Sequence, residues 1–296
     1  MSRIHGLSLL AMLLALAGCA SMSAEPPGAR ALGWTIPHGR GTATTYAEFE
    51  TDGRPKAIGV AWSAHAFDGL PQGSDMHHCH GVGADGPVGS QAKCVPTFEH
   101  VLPLPDAVAR RPDVPFKWVL LNWNPAGHIP PGVYDVPHFD VHFMIAPIAD
   151  VFAIETGTCG PEGVRCDQFA IGKRPLPGNY VPADFRDVDA VVPAMGNHLI
   201  DLTGPEFRKQ PFTHSFIYGA YDGKVIFYEQ MVARGYLLGK PDGCTPIKSP
   251  QAVALGGYYP TLTCQRYDAR TGEYMASLER FVRREASAPE PIPAAK

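Results

Sequence analysis

The segment Gly127 to Ile145, GHIPPGVYDVPHFDVHFMI, constrains this chain more than any other. His138, Asp140 and His142 recur at every second position, with Phe139, Val141 and Phe143 between them. Successive side chains of a β-strand point to opposite faces. A strand here therefore presents two imidazoles and a carboxylate on one side, and two aromatic rings and a valine on the other. The second side belongs in an apolar core. The first needs a solvent, a set of partners or an ion.

Export sets the compartment in which that row is read. Arg3 and His5 precede an apolar run, Leu7 to Ala17, too short to span a bilayer well. Leu16-Ala17-Gly18-Cys19 then reads as a bacterial lipobox: residues 1–18 form the signal peptide, and Cys19 is lipidated and becomes the mature first residue. The alternative is an ordinary secretory signal cleaved near Ala20 or Ala24. Ala20, rather than an aspartate, follows the cysteine, which in a Gram-negative cell matches sorting to the outer membrane, facing the periplasm. Residues 19–35 are small, polar and proline-bearing, a tether between lipid and domain. The membrane is thus an expected partner, through the lipid. The formal net charge of -4, with acids and bases intermixed, gives no basic footprint for nucleic acid. Assembly into a homo-oligomer is compatible with the sequence.

Six cysteines follow Cys19: Cys79, Cys94, Cys159, Cys166, Cys244 and Cys264. An even number in an oxidising compartment suggests disulfides. Pairing of neighbours, Cys79–Cys94, Cys159–Cys166 and Cys244–Cys264, is the simplest connectivity. The rival is Cys79 as a metal ligand within His77-His78-Cys79-His80, although consecutive residues splay apart and a glycine-rich loop of this kind is usually exposed.

Proline, 30 residues of 296, disfavours long helices. Thr42–Phe49 and Ala57–Ala64 flank the turn Asp52-Gly53-Arg54-Pro55 and predict a hairpin. Residues 98–105 are extended, Asp106–Arg111 form a helical turn, and Phe116–Trp123 is a strong apolar strand before the turn Asn124–Gly127. Residues 172–193 read as a surface excursion. Phe212–Tyr221, Asp222-Gly223 and Lys224–Met231 form a second hairpin. Leu278, Phe281 and Val282 suit a short amphipathic helix within Gly272–Ala286. The expected fold is mainly β over residues 36–285, an antiparallel sandwich or barrel with long loops and a short C-terminal helix, followed by a disordered tail, 286–296.

Imidazoles and carboxylates converging from separate strands are how β-proteins bind zinc and other first-row metals. The candidate ligands are His138, Asp140, His142, His198 and Glu229. Glu229 lies in an apolar run beside Phe227, Tyr228 and Met231, where a charge needs a partner. His138 and His142 are roughly 13 Å apart along a straight strand, too far to share one ion; neighbours two apart, roughly 7 Å, are not. Either Asp140 acts with one histidine, or a bulge at Pro137 joins the two. His128 supports the ligands or substitutes for one. The competing reading is a metal-free polar core, in which these histidines hydrogen-bond buried carboxylates or backbone. His38, His65, His100 and His214 are expected to be structural, His214 lying near enough to Glu229 to be an outsider.

The runs GHIPPGVYDVPHFDVHF, AMGNHLIDLTGPEF and FIYGAYDGKVIFYEQM resemble the bacterial domain-of-unknown-function family numbered 5602. Its Gly-His…Pro-His-Phe-Asp-x-His-Phe, Met-Gly-x-His…Asp and Tyr-Asp-Gly-Lys…Phe-x-Glu-x-Met patterns match His128, His138, Asp140, His142, Met195, Gly196, His198, Asp201, Tyr221, Asp222, Gly223, Lys224, Phe227, Glu229 and Met231. The likeness spans roughly residues 36 to 282. Where the family often has Glu-Pro-Met, this chain has Glu229-Gln230-Met231. The family has no established reaction, so the resemblance implies a site without naming its chemistry. A Gly-x-Ser-x-Gly elbow, a P-loop, GxGxxG and HExxH are all absent. The sequence therefore predicts a lipid-anchored envelope protein with a His/carboxylate metal site, zinc first among ions. A metal-dependent, hydrolase-like enzyme using Asp140 or Glu229 as base, and a metal-free interaction module, are the alternatives.

Overall fold

The structure, a computed structural model, describes residues 30–72 and 98–288. The signal segment with Cys19, the His77–His80 run, the Cys79–Cys94 pair and the end of the tail lie outside the described residues. The strands, in chain order, are β1 (Ala31–His38), β2 (Gly41–Phe49), β3 (Pro55–Trp62), β4 (Phe98–Pro103), β5 (Trp118–Asn124), β6 (His138–Met144), β7 (Thr156–Cys159), β8 (Phe185–Val192), β9 (Gly196–Asp201), β10 (His214–Tyr221), β11 (Lys224–Ala233), β12 (Asp242–Pro246), β13 (Gly257–Tyr259), β14 (Leu262–Asp268), β15 (Glu273–Glu279) and β16 (Val282–Arg284). Four short helices join them: α1 (Asp106–Ala109), α2 (Ile148–Phe152), α3 (Cys166–Gly172) and α4 (Arg234–Leu238). No helix among the described residues is long and apolar enough to cross a membrane.

Two antiparallel sheets face each other. One has six strands in the order β1-β2-β3-β15-β14-β12, the other seven in the order β4-β5-β6-β11-β10-β9-β8. This is a sandwich, not a closed barrel. Its core takes Ile58, Val60, Trp62, Ala276 and Leu278 from the first sheet, and Val119, Leu121, Phe139, Val141, Phe143 and Tyr228 from the second. Phe139 is fully buried, with its ring 5.2 Å from Trp62, 5.1 Å from Phe67 and 4.8 Å from Trp123, centroid to centroid. The apolar half of the β6 alternation thus lies in the inter-sheet core. Both expected hairpins are present, β2 with β3 and β10 with β11.

The outer face of the seven-stranded sheet is also covered. Trp118, Leu120, Met144, Ile217, Phe227 and Met231 point there and pack under Tyr134, Val151, Met195 and Phe212 from the connections. The His/Asp half of β6 opens into this second, loop-covered layer.

Three expectations are corrected. Gly272–Ala286 holds no helix: it forms β15 and β16. β15 lies between β3 and β14, with Tyr274, Ala276 and Leu278 in the inter-sheet core and Met275 packed on the other face with Tyr46, Ala57 and Ala61. A strand buried on both faces loses the polar alternation that marks strands in sequence, and its spacing then imitates a helix. The 172–193 excursion ends in β8, whose Asp187-Val188-Asp189-Ala190 stretch breaks register with β9 between Asp187 and Val191. β1 starts at Ala31, so the last part of the expected tether, 31–35, lies in this edge strand.

Truncating Phe139 to alanine should cost about 3–5 kcal/mol, the usual penalty for emptying a closed aromatic site. Urea unfolding should show a lower midpoint at unchanged slope.

Candidate metal centre

β6 runs between β5 and β11 without a bulge. His138 and His142 therefore stay at opposite ends of the strand, and the candidate residues form two groups. In each group the ligating atoms all lie within 4.8 Å of one another: His142, His198 and Glu229 in one, His128, His138 and Asp140 in the other.

The first group is assembled by register. Glu229 on β11 stands directly across from His142 on β6. His198 on β9 is two strands away, opposite Gly219 of β10, which in turn pairs with Phe227. Gly219 is what lets the group close. A Cβ there would lie 2.1 Å from ring atoms of Phe227. Without one, the Phe227 ring lies over the glycine and touches both imidazoles, 5.0 Å from His142 and 5.1 Å from His198. His142 Nε2 is 3.6 Å from Glu229 Oε1, and His198 Nε2 is 3.7 Å from Glu229 Oε2.

The second group combines strand and loop. His138 Nε2 is 3.2 Å from Asp140 Oδ1, and His128 Nε2 is 3.3 Å from Asp140 Oδ2. Asn124 on β5 donates its amide N–H to Asp140 Oδ2 at 2.7 Å. His128 reaches in because Gly127 turns the chain with φ of +73°, against the Tyr134 carbonyl; a Cβ there would sit 2.1 Å from that oxygen.

Tautomers follow from the hydrogen bonds. A carbonyl oxygen only accepts, so a ring nitrogen facing one must carry the proton. His142 Nδ1–H donates to Leu120 O, His198 to Ala190 O, His138 to Val136 O and His128 to Ile129 O, at 3.2, 3.1, 2.7 and 2.8 Å. His138, His142 and His198 thus turn Nε2 toward a carboxylate, and His128 Nε2 hydrogen-bonds Asp140 Oδ2 at 3.3 Å. His138 Nε2, His142 Nε2, Asp140 Oδ1 and Glu229 Oε2 are buried with no hydrogen-bond partner. This is how metal-binding histidines are prepared: the outer nitrogen is tied to a carbonyl and the inner one is left free.

The electrostatics separate the two groups. Burial pushes the His198 imidazole down to about 3 and lowers His142 as well, so both rings are neutral at ordinary pH. Burial raises the Glu229 carboxyl well above its usual range, and the Asp140 charge adds to this. Burial also works against ionising Asp140, but His138 and His128 reverse it and hold that carboxyl well below the usual range. Burial opposes protonation of His128; Asp140 outweighs it, and the ring is raised. Buried clusters of histidine and carboxylate that can hold a metal ion are therefore present.

His128 is a direct member of its group rather than a neighbour of it. The sequence reading missed Asn124, placing it in a turn, although Leu120-Asn122-Asn124 carries its own polar alternation on the same sheet face. The other histidines among the described residues stay outside both groups. His38 donates to Ala66 O, His65 pairs with Asp68, and His214 bonds Thr245 and stacks on Tyr236. Cys159–Cys166 and Cys244–Cys264 are disulfide pairs, with Cα–Cα distances of 4.9 and 4.0 Å.

A Gly219→Ala variant should lose about 1–3 kcal/mol, because the Phe227 ring must leave its place between His142 and His198. The Phe227 ring resonances in an NMR spectrum should move together with those of both imidazoles. No family model matches the chain, and no curated protein or solved structure matches it.

Proposed function

We propose that His142, His198 and Glu229 bind a divalent first-row transition ion, zinc foremost, in a lipid-anchored protein of the bacterial envelope. One observation carries this reading: two imidazoles, fixed by backbone carbonyls in the tautomer that frees Nε2, aim those lone pairs at a buried carboxylate with nothing between. Without an ion the raised carboxyl of Glu229 keeps its proton; a divalent cation would take that proton's place among the three groups. The 3.6 and 3.7 Å separations are close to the edge of a tetrahedron with metal–ligand bonds near 2.1 Å, roughly 3.4 Å. Two imidazoles with one carboxylate suit zinc and divalent iron.

The side chains of His142 and Glu229 are only 1% and 2% exposed. Such enclosure supports a binding or bracing role over catalysis, since a catalytic ion must offer a position that substrate can reach. Two disulfide pairs support an oxidising compartment. The lipobox at Leu16–Cys19 supports a lipid anchor.

Protein purified without a histidine tag should carry stoichiometric metal by elemental analysis. His198→Ala combined with Glu229→Ala should remove the ion of this group; full retention of the wild-type complement would reject these ligands. Glu229→Gln alone should weaken binding by more than about 100-fold, beyond the loss from removing an outer hydrogen-bond partner. The metal-free Gln variant should be at least as stable as metal-free wild type at neutral pH. The raised carboxyl of Glu229 contributes stability in its neutral form, which is lost as pH rises above the usual carboxylate range, and an amide has no such slope.

The anchor has its own test. Cys19→Ser should abolish incorporation of labelled palmitate and shift the protein from the membrane to the soluble fraction. Undiminished labelling would overturn the lipid-anchored reading.

A further inference from the structure

The histidine row of β6 serves two places, not one. His138 and Asp140 share no residue with the buried triad, and with no bulge in the strand His138 and His142 cannot meet at one ion. Asp140 has already committed both oxygens elsewhere: Oδ1 faces His138 Nε2, and Oδ2 faces His128 Nε2 and accepts from Asn124. We propose that His128, His138 and Asp140 form a second centre for a divalent transition ion, distinct from the buried one and on its solvent side.

Three features of these residues argue for it. The first is orientation: His128 and His138 each donate Nδ1–H to a backbone carbonyl, of Ile129 and Val136, which turns both Nε2 atoms toward Asp140. The second is spacing: 3.2 and 3.3 Å between each Nε2 and its Asp140 oxygen again match a tetrahedral edge of roughly 3.4 Å. The third is an unmet need: His138 Nε2 and Asp140 Oδ1 are both buried and without a hydrogen-bond partner.

The His128 and His138 rings stand 4.6 Å apart, centroid to centroid, and their ligating atoms converge with that of Asp140 to within 4.8 Å, a space that one dication can fill.

The two centres differ in access. The His128 side chain is 34% exposed, whereas those of His142 and Glu229 are 1% and 2% exposed. His128 also stands on the loop between β5 and β6 rather than in the sheet. The solvent-side ion should therefore exchange faster, and it is the one that a small oxygen or nitrogen ligand from solution can approach.

The test is metal stoichiometry on untagged protein, stripped with a chelator and titrated with cobalt(II) and, separately, zinc(II). Two equivalents should bind to wild type. His128→Ala and His198→Ala should each retain one, and the double variant none. Chelator extraction from wild type should show two phases differing at least tenfold in rate, and His128→Ala should lack the fast one. Full retention of two equivalents by His128→Ala, or a single equivalent in wild type that His198→Ala abolishes, would overturn the second centre while leaving the buried triad standing. Binding of no ion by wild type would overturn both. His128 lies on a half-exposed loop, so its replacement should leave the protein folded, as a native-like circular dichroism spectrum of the variant would check. His128→Gln, which keeps side-chain bulk, should give the same stoichiometry as the alanine variant.

Discussion

Four backbone carbonyls decide what this protein's imidazoles can do. The oxygens of Leu120, Ala190, Val136 and Ile129 each take an Nδ1 proton and so commit the opposite nitrogen to the interior. Two of these carbonyls belong to sheet strands, β5 and β8, and two to the loop that precedes β6. The tautomer of each ring is therefore a property of the backbone, and it fails if the strands or the loop shift. Histidine roles of this kind are set by the partner of the second nitrogen more than by the identity of the residue.

The sandwich separates stability from chemistry by layer. Phe139, Val141 and Phe143 help close the space between the sheets, where most of the large apolar side chains meet. His138, Asp140 and His142 project the other way, beneath a cover made of Tyr134, Val151, Met195 and Phe212. That cover raises the worth of every electrostatic contact under it by keeping water out. It also leaves the main core independent of any ion. Glu206 shows the same layer handling a third buried carboxylate by ordinary means, accepting from Ser215 Oγ at 2.7 Å and Tyr134 Oη at 3.4 Å. Set beside Glu206, the lack of such donors around Glu229 Oε2 stands out.

Much of this could be read from residues alone, and the failures have physical causes. The alternation in 138–143 announced a two-faced strand, and the charge of Glu229 within an apolar run announced a partner. Those signals are local, and both led to the site. Division of the row into two groups was not local. It depended on the straightness of β6 and on Asp140 turning toward His128, which only the packed loop determines. Asn124 escaped notice because Asn-Pro-Ala-Gly reads as a turn, although its first residue is still in the sheet. β15 escaped because Tyr274 to Leu278 is buried on both faces, and burial on both sides weakens the period on which strand assignment relies.

The arrangement of β6 has a consequence for how such a chain can vary. Its odd and even positions are assigned to different tasks, and both assignments depend on one register held by β5 and β11. Inserting or deleting a single residue between Pro137 and Ile145 would turn the imidazoles into the hydrophobic interior and the phenyl rings onto the ligating face at once. Drift in this segment can replace residues, and so retune the donors one by one, but it cannot change the segment's length. The count of residues in this strand is as much a requirement as their identities.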